Sequence, residues 1–402
     1  MKLLIKQPKI KVVGDYSLIE SEILLDGKFL YNMWFKVEND YKEYLCTENS
    51  NSFLISLLPF LIKHEYDIEV EGKISSKLYY QLNNYLIPLL CKEFKKKEIK
   101  IECELTDEVY NGTAVGASVS CGVDSFYTML KHKEQADTNY QITHLAFFNA
   151  GSHGEYGGDS ARRLYEERLA HIQSFCKKYN YKLVTVDSNM NELIMMNHEK
   201  THTFRTLGCV FALEKLFNKY YFASGLGFNG SKIDEDDTAY YDILNVHCLS
   251  NENISFYCSG LETTRMEKIK YISHFPETYD SLNVCVHHEW ENCSQCEKCI
   301  RTMTALESIG KLGEYYHVFD LEKYKKNRIK IHAKMLKFQK DKIKKDIYKE
   351  IVESYKVNNV EISIISKIGQ FIPSKTYVKK VLKKIFPSKS KNVKKINDGW
   401  TD

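Results

Sequence analysis

Residues 114–133 read AVGASVSCGVDSFYTMLKHK, and this stretch decides the fold. Small and apolar residues open it, as in a buried strand, and the loop SCGVDS follows. Phe126, Met129 and Leu130 then recur at the spacing of one helical face. A strand, a short loop of small residues and a helix form the first half of a βαβ unit. We therefore expect a parallel sheet to begin here.

The same alternation continues along the chain. THLAFFN at 143–149 precedes the helix-like run at 160–179, and KLVTVDS at 182–188 and LFNKYYFAS at 216–224 are further strand-like segments. Strands that alternate with helices of ten or more residues favour a parallel sheet covered on both faces. The sequence thus predicts an α/β protein with a doubly wound parallel sheet.

The chain is long enough for more than one domain, since 402 residues exceed the usual size of one hydrophobic core. Residues 1–112 mix strand-like and helix-like runs and are expected to form an N-terminal α/β accessory domain. Residues 113–312 hold the doubly wound sheet. Residues 313–402 are expected to form a basic helical C-terminal region.

Charge is unevenly distributed. The net charge is +4, yet residues 321–402 hold 23 Lys and Arg against 8 Asp and Glu. Such a tail attracts nucleic acid or an anionic membrane surface, or is simply a solvated helical face. The chain has no apolar run of 18 residues and no signal-peptide pattern at its start, which favours a cytoplasmic protein with reduced cysteines.

The loop at residues 120–125 has the features of a phosphate site. Its small residues let backbone N–H groups approach phosphate oxygens, and the following helix N-terminus supplies free donors and partial positive charge. Ser120 and Ser125 add hydroxyl groups. Asp124 would repel phosphate directly, which argues for a bound Mg²⁺ or for capping of the helix. The alternative is a plain turn followed by a capped helix.

This loop resembles the S-G-G-x-D-S signature of the PP-loop ATP pyrophosphatases, a branch of the adenine nucleotide alpha hydrolase superfamily. Cys121 stands at the first glycine, and we interpret it as a tolerated small residue rather than a nucleophile. The resemblance implies a HUP/PP-loop type sheet and an ATP site. The implied nucleotide-binding residues are Ser118, Ser120, Cys121, Gly122, Val123, Asp124, Ser125 and His153, and the implied catalytic residues are Asp124, Ser125 and Arg205.

Four cysteines cluster late in the chain: Cys285, Cys293, Cys296 and Cys299. Four thiolates at this density can close a tetrahedral Zn²⁺ shell, and such a full site is structural. An iron–sulfur cluster and unrelated reduced cysteines are the alternatives, and His287 and His288 compete as ligands. We prefer the four sulfurs.

The cysteine spacing C-x7-C-x2-C-x2-C is similar to that of 7-cyano-7-deazaguanine synthases, in which a late cysteine precedes C-G-x-C-x-x-C. Ser294 stands at that glycine. The resemblance covers about residues 113–312 and does not extend to the regions on either side, so the acceptor substrate is left open.

Weaker candidates lie between these two motifs. His153 follows the second strand, at the edge where ligands of doubly wound sheets bind. Arg205 and Lys200 precede or begin an apolar helix and are candidates for neutralising phosphate charge. A second loop of small residues at 224–230 suits a substrate edge or a tight turn. In contrast, Arg265 and Lys268 are expected to face solvent. The loop at 224–230 comprises Ser224, Gly225, Gly227, Asn229 and Gly230, and Asp234 to Asp237 follow it.

By resemblance, the expected function is an ATP-dependent ligase or synthase that converts ATP to AMP and pyrophosphate. It would activate a carboxylate or amide, on a small acid or a macromolecule, for attack by ammonia or another nucleophile. The expected cofactors are ATP, Mg²⁺ and Zn²⁺, and a homodimer is left open. The alternatives are a thiolase-like tRNA-modifying enzyme and a non-catalytic nucleotide-binding component of a defence or assembly system.

Overall fold

The computed structural model describes residues 1–285, 290–341 and 344–371. It confirms an α/β protein, built around one large, mixed and mostly parallel sheet of 11 strands. The strands are β1 (Lys2–Ile5), β2 (Lys9–Val13), β3 (Tyr16–Leu25), β4 (Lys28–Glu38), β5 (Asp67–Ser75), β6 (Ile101–Thr106), β7 (Ala114–Ser118), β8 (His144–Asn149), β9 (Lys182–Ser188), β10 (Phe217–Ala223) and β11 (Ser255–Ser259).

The strands after residue 112 run parallel to one another in the spatial order β9-β8-β7-β10-β11. Although Tyr257 of the edge strand β11 is exposed, the inner strands are largely buried, as in β8, where every residue after His144 is buried. This is the continuous burial that sandwiched parallel strands show. The direction of winding reverses between β7 and β10. Ligands of open parallel sheets bind outside the carboxyl ends of the strands at such a reversal.

The N-terminal strands extend the same sheet. Strand β4 pairs antiparallel with β9, where Phe35 lies opposite Ser188. Asn189 fastens the joint, because its side chain accepts from the Trp34 N–H at 2.8 Å and donates to the Asn32 carbonyl at 2.8 Å. The boundary expected near residue 112 is therefore crossed by a continuous sheet, and Met1–Lys323 form one compact unit.

The helices are α1 (Asn51–His64), α2 (Ser76–Gln81), α3 (Ile87–Glu93), α4 (Val123–Lys133), α5 (Gly158–Lys178), α6 (Met190–Ile194), α7 (His202–Ala212), α8 (Asp242–Cys248), α9 (Arg265–Ile272), α10 (Glu297–Ser308), α11 (Leu321–Phe338), α12 (Lys345–Val357) and α13 (Ile364–Gly369). Helices α1 and α7 pack against each other. A Cβ atom at Gly208 would lie 1.9 Å from the Ser56 hydroxyl oxygen and 3.1 Å from the Ser52 carbonyl oxygen, so the absence of a side chain here lets the two helices approach closely.

A buried carboxylate also ties the N-terminal region to the parallel strands. Glu214 is fully buried, and its oxygens accept hydrogen bonds from the amides of Asn49, Asn51, Asn251 and Asn253. Burial raises the pKa of Glu214, although these four amide donors oppose the shift. Two of the donors precede or begin α1 and two precede β11, so this cluster fastens Glu214 both to a segment 165 residues earlier in the chain and to the segment before β11.

Residues Tyr324–Asp402 form a second compact unit. Its described part contains most of α11 together with α12 and α13. The remainder of the predicted basic tail, 372–402, lies outside the described residues. Across the part of the chain that is described, no helix has the length and apolar character needed to cross a bilayer.

Replacing Glu214 by Gln tests the cluster around it. The new amide nitrogen would face amide donors where an oxygen now accepts, so at least one buried donor loses its partner. We expect Glu214→Gln to lower the free energy of unfolding by about 1–3 kcal/mol. Urea denaturation followed by circular dichroism measures this. Glu71→Gln, which removes only an exposed ion pair with Lys6, is the matched control and should have little effect.

Candidate functional site

Hydrogen bonds between serine hydroxyls and backbone groups hold the conformation of the loop between β7 and α4. The Ser125 hydroxyl accepts from the Ser120 N–H at 3.3 Å and lies 3.3 Å from the Gly122 carbonyl, to which it donates. The Ser120 hydroxyl accepts from the Gly122 N–H at 3.3 Å. Ser118, at the end of β7, instead shares a 2.7 Å hydrogen bond with Tyr220 of β10. The predicted loop residues are thus brought together at the reversal point of the sheet.

Cys121 occupies a left-handed backbone position, with φ of 55°. Glycine adopts this conformation without cost, whereas another residue is strained by about 1 kcal/mol or more. The thiol is fully buried, and this burial raises its pKa well above the ordinary value. The Cys121 side chain therefore fills space beneath the loop, and a buried, protonated thiol is a poor nucleophile.

Asp124 does not cap the helix, which corrects one of the two sequence interpretations. The N-cap residue is Gly122, and Asp124 lies in the first turn of α4. Its carboxylate binds two cations of α9: Arg265 at 2.8 Å and Lys268 at 3.1 Å. Burial works against ionisation, but these two cations outweigh it and hold the pKa of Asp124 below its ordinary value. Asp124 therefore remains a carboxylate at neutral pH.

Arg265 and Lys268 do not face solvent, and that prediction is wrong. The Lys268 side chain is 2% exposed and the Arg265 side chain 15% exposed. Lys268 also donates to the Ser224 carbonyl at 2.7 Å. A Cβ atom at Gly260 would lie 2.8 Å from the Lys268 ammonium, so this glycine makes room for the buried lysine. The loop after β10, predicted as a substrate edge, is thereby held beside the loop after β7.

A local signal for the start of α9 does exist in the sequence. Thr264 and Glu267 form a capping box, in which each side chain accepts from the backbone N–H of the other residue. The box fixes the first turn of α9, where Arg265 lies. The capping box does not reveal which residue the first turn of α9 contacts, because that residue, Asp124, lies more than 140 positions earlier in the chain.

A basic cavity of about 290 Å³ opens over the loop. We define it by Ser120, Gly122, Asp124, Arg168, Arg265, Lys298 and Arg301, all of which line it. Among the described residues of its wall, four are cationic and Asp124 alone is a carboxylate. Such a cavity attracts a polyanion.

His153, which the resemblance implied as a nucleotide-binding residue, also lines the basic cavity. It is 5% exposed, and burial together with nearby Arg168 lowers its pKa to about 3. His153 is therefore neutral at pH 7. A neutral imidazole can accept or donate a hydrogen bond here but adds no positive charge to the cavity.

An aromatic cavity of about 450 Å³ adjoins the basic one. We define it by three phenylalanines at the carboxyl ends of β8 and β10, by the first residues of α7 and α8, and by one histidine in the segment before α7: Phe147, Phe148, Phe222, His202, Asp242 and His198. The two cavities share Ser120, Asp124 and Lys298 in their walls. A single ligand can thus place an anionic group over the loop and a ring in the aromatic cavity.

Arg205 and Lys200 are placed differently from the predicted phosphate contacts. Arg205 is fully buried, and its guanidinium donates to the Glu155 carbonyl at 2.9 Å, to Asn191 at 2.8 Å and to the Met196 carbonyl at 2.7 Å. These bonds hold the loop after β8 rather than a ligand. Lys200 forms an ion pair with Asp236 at 2.6 Å. Neither residue belongs to the cluster around Asp124.

The four cysteines of the predicted metal site are brought together. Their sulfur atoms lie within 4.8 Å of one another, with Cys285 and Cys296 at 4.0 Å and Cys293 and Cys299 at 3.9 Å. Zinc–sulfur bonds of about 2.3 Å in a tetrahedron separate sulfurs by about 3.8 Å. The cluster can therefore bind a metal such as zinc. His287 and His288, the competing ligands, lie outside the described residues.

Two further features shape the cysteine cluster. Ser294 has a left-handed φ of 56°, at the position where the similar pattern has glycine. Asn292, which sequence reasoning missed, accepts from the Cys285 N–H at 3.2 Å and donates to the Leu282 and Val318 carbonyls. Cys296 is the N-cap residue of α10, so the cluster fixes the start of the helix that carries Lys298 and Arg301.

Comparison of the chain with protein-family models, with curated proteins and with solved structures gives no match.

Metal analysis tests the cysteine cluster. We expect one zinc per chain in the purified protein, and Cys296→Ser should lose it and misfold locally, because the thiolates replace a hydrophobic core in this segment. Elemental analysis by mass spectrometry measures the metal. Cys103→Ser, at a half-buried cysteine outside the cluster, should retain zinc. Iron with visible absorbance, or a fully folded zinc-free Cys296→Ser protein, would contradict the structural zinc site.

Proposed function

We propose that the chain is an ATP-dependent adenylating enzyme of the PP-loop type, similar to 7-cyano-7-deazaguanine synthases. It would split ATP into AMP and pyrophosphate while activating a carboxylate or amide oxygen of its substrate. The observation that carries this proposal is the meeting of Asp124, Arg265 and Lys268 at the loop of residues 120–125. This cluster lies at the reversal point of the sheet, and two of its members, Asp124 and Arg265, line the cavity whose described wall holds four cations.

The basic cavity is suited to the leaving group. Pyrophosphate carries several negative charges, which Arg168, Arg265, Lys298 and Arg301 would neutralise as the bond to the alpha phosphorus breaks. The N-terminus of α4 adds backbone donors and its dipole. Asp124 is the one carboxylate in the described wall of the cavity, so it would hold a Mg²⁺ bound together with the nucleotide, and that ion would supply further neutralisation of phosphate charge.

Neutralisation of the leaving pyrophosphate would allow the substrate to be activated. The substrate oxygen attacks the alpha phosphorus, pyrophosphate leaves toward the basic cavity, and the acyl or imidyl adenylate remains at the junction of the two cavities. Ammonia or another nucleophile then attacks the activated carbon and releases AMP. The buried Cys121 has no part in these steps, since its thiol is protonated and lies beneath the loop.

RNA modification is the second candidate, and the charge of residues 321–402 favours it. A segment with 23 basic and 8 acidic residues binds polyanions through phosphate contacts that release counterions. A tRNA acceptor would place the activated group on a base rather than on a small acid. Salt-dependent tRNA binding, lost when residues 372–402 are removed while ATP turnover is retained, would favour this acceptor.

Lys268 provides a sharp test of the adenylation site. Lys268→Met removes the buried ammonium that positions Asp124, and we expect pyrophosphate release to slow by about 10²-fold or more. Lys270→Met changes an exposed lysine of the same helix and should leave the rate unchanged. Pyrophosphate release is measured from ATP with a panel of acids, tRNA and cell extracts, and the products are identified by mass spectrometry.

The products decide between reaction classes. AMP and pyrophosphate are expected, and activity should also fall by a similar factor in Asp124→Asn and Ser125→Ala. The Asp124 side chain is 24% exposed and Ser125 is buried, so folding of each variant is checked by circular dichroism. ADP and phosphate as the only products, with activity surviving Asp124→Asn, would rule out the proposal. Nucleotide binding without any turnover would instead indicate a non-catalytic component.

A further inference from the structure

The aromatic cavity contains a buried carboxylate that has one unused oxygen. Asp242, the first residue of α8, is 2% exposed. Its Oδ1 atom accepts from the Thr203 hydroxyl, whereas its Oδ2 atom is buried and has no hydrogen-bond partner among the described residues. A buried acceptor without a donor is costly, and such exceptions in folded proteins call for an explanation. A ligand that supplies an N–H or O–H donor would provide one.

The remaining walls of the aromatic cavity suit a flat ring. Phe147, Phe148 and Phe222 line it, and the His202 ring stacks on Phe222 with an interplanar angle of 11°. Aromatic faces bind planar rings by stacking. Because the cavity also includes Ser120 and Asp124 of the phosphate loop, a ring bound here can belong to the same molecule as phosphates bound at the loop.

We propose that Asp242 Oδ2 accepts a hydrogen bond from the exocyclic amino group of adenine and so selects ATP over purine nucleotides with a carbonyl at that position. This inference rests on the proposed function, because it assigns the ring of the nucleotide to the aromatic cavity. Guanine and hypoxanthine present an oxygen acceptor where adenine presents a donor. Two acceptors would then face each other in a buried site, which disfavours those nucleotides.

The ionisation of Asp242 agrees with an accepting role. Burial raises the pKa of Asp242 to about 6, although His202 and the Thr203 hydroxyl oppose the shift. At pH 7 the group is therefore mainly a carboxylate and offers only acceptor atoms. Asp237 lies near the same histidine, at 3.5 Å from its Nε2 atom, but is a third exposed and does not line the cavity. Asp237 therefore supplies a matched control.

Nucleotide binding by the full chain tests the assignment. Calorimetric titration of the unaltered protein should give an affinity for ATP at least about tenfold higher than for inosine triphosphate or GTP. Asp242→Asn replaces a pure acceptor by a group that can donate or accept, so the ratio of the two affinities should fall toward one. Asp237→Asn should keep the ratio of the unaltered protein.

Each outcome bears on a different claim. Equal affinities for ATP and inosine triphosphate in the unaltered protein would overturn this inference and leave the proposed function intact, and this comparison needs no variant to fold. If folded Asp242→Asn keeps the same ratio of affinities for ATP and inosine triphosphate as the unaltered protein, the inference is likewise overturned. If the unaltered protein binds 2′-deoxy-ATP more weakly than ATP and Asp242→Asn removes that difference, the carboxylate contacts the ribose. This result would also overturn the inference. No binding of any nucleotide would overturn the proposed function itself.

Discussion

The buried ammonium of Lys268 is the group on which the candidate site depends. A cation that is 2% exposed requires compensating partners, and here it has the Asp124 carboxylate and the Ser224 carbonyl. Asp124 lies in the first turn of α4, which follows β7, and Ser224 follows β10; the sheet reverses between these two strands. One buried charge thus joins the segments that flank the reversal point. Gly260 leaves room for this lysine, since a Cβ atom there would lie 2.8 Å from the ammonium, and the Tyr127 ring centroid is 5.7 Å from it.

The N-terminal region contributes to the same architecture through a different kind of contact. Its strands continue the sheet through β4, and α1 packs on α7 where Gly208 allows the approach. The carboxylate of Glu214 lies between segments that are distant in sequence and satisfies four amide donors at once. Because these contacts are buried and polar, they specify one arrangement of the two regions more strictly than apolar packing alone. The region therefore supports the parallel strands, whatever else it does.

The sequence predicted what local patterns encode. Residues that are neighbours in the chain encode the loop at 120–125, the helix after it and the cluster of four cysteines. In the loop and in the cysteine cluster, a small residue other than glycine, Cys121 or Ser294, occupies a left-handed backbone position. The pairing of Arg265 and Lys268 with Asp124 was missed, since long-range ion pairs leave no periodic trace. Arg205 shows the opposite case. Its charge and position before an apolar helix suggested a phosphate contact, but its donors are used by backbone carbonyls in the interior.

The acidic residue in the loop at 120–125 is explained by the charge balance around it. Arg265 and Lys268 without Asp124 would be two cations in a poorly solvated place, and Asp124 without them would repel phosphate. Together the three leave one positive charge beside the loop, held in a fixed geometry. The cysteine cluster also bears on this charge balance, because Cys296 is the N-cap of α10, the helix that carries Lys298 and Arg301. The four cysteines, which can bind a metal such as zinc, and two of the cations of the basic cavity therefore belong to one connected segment.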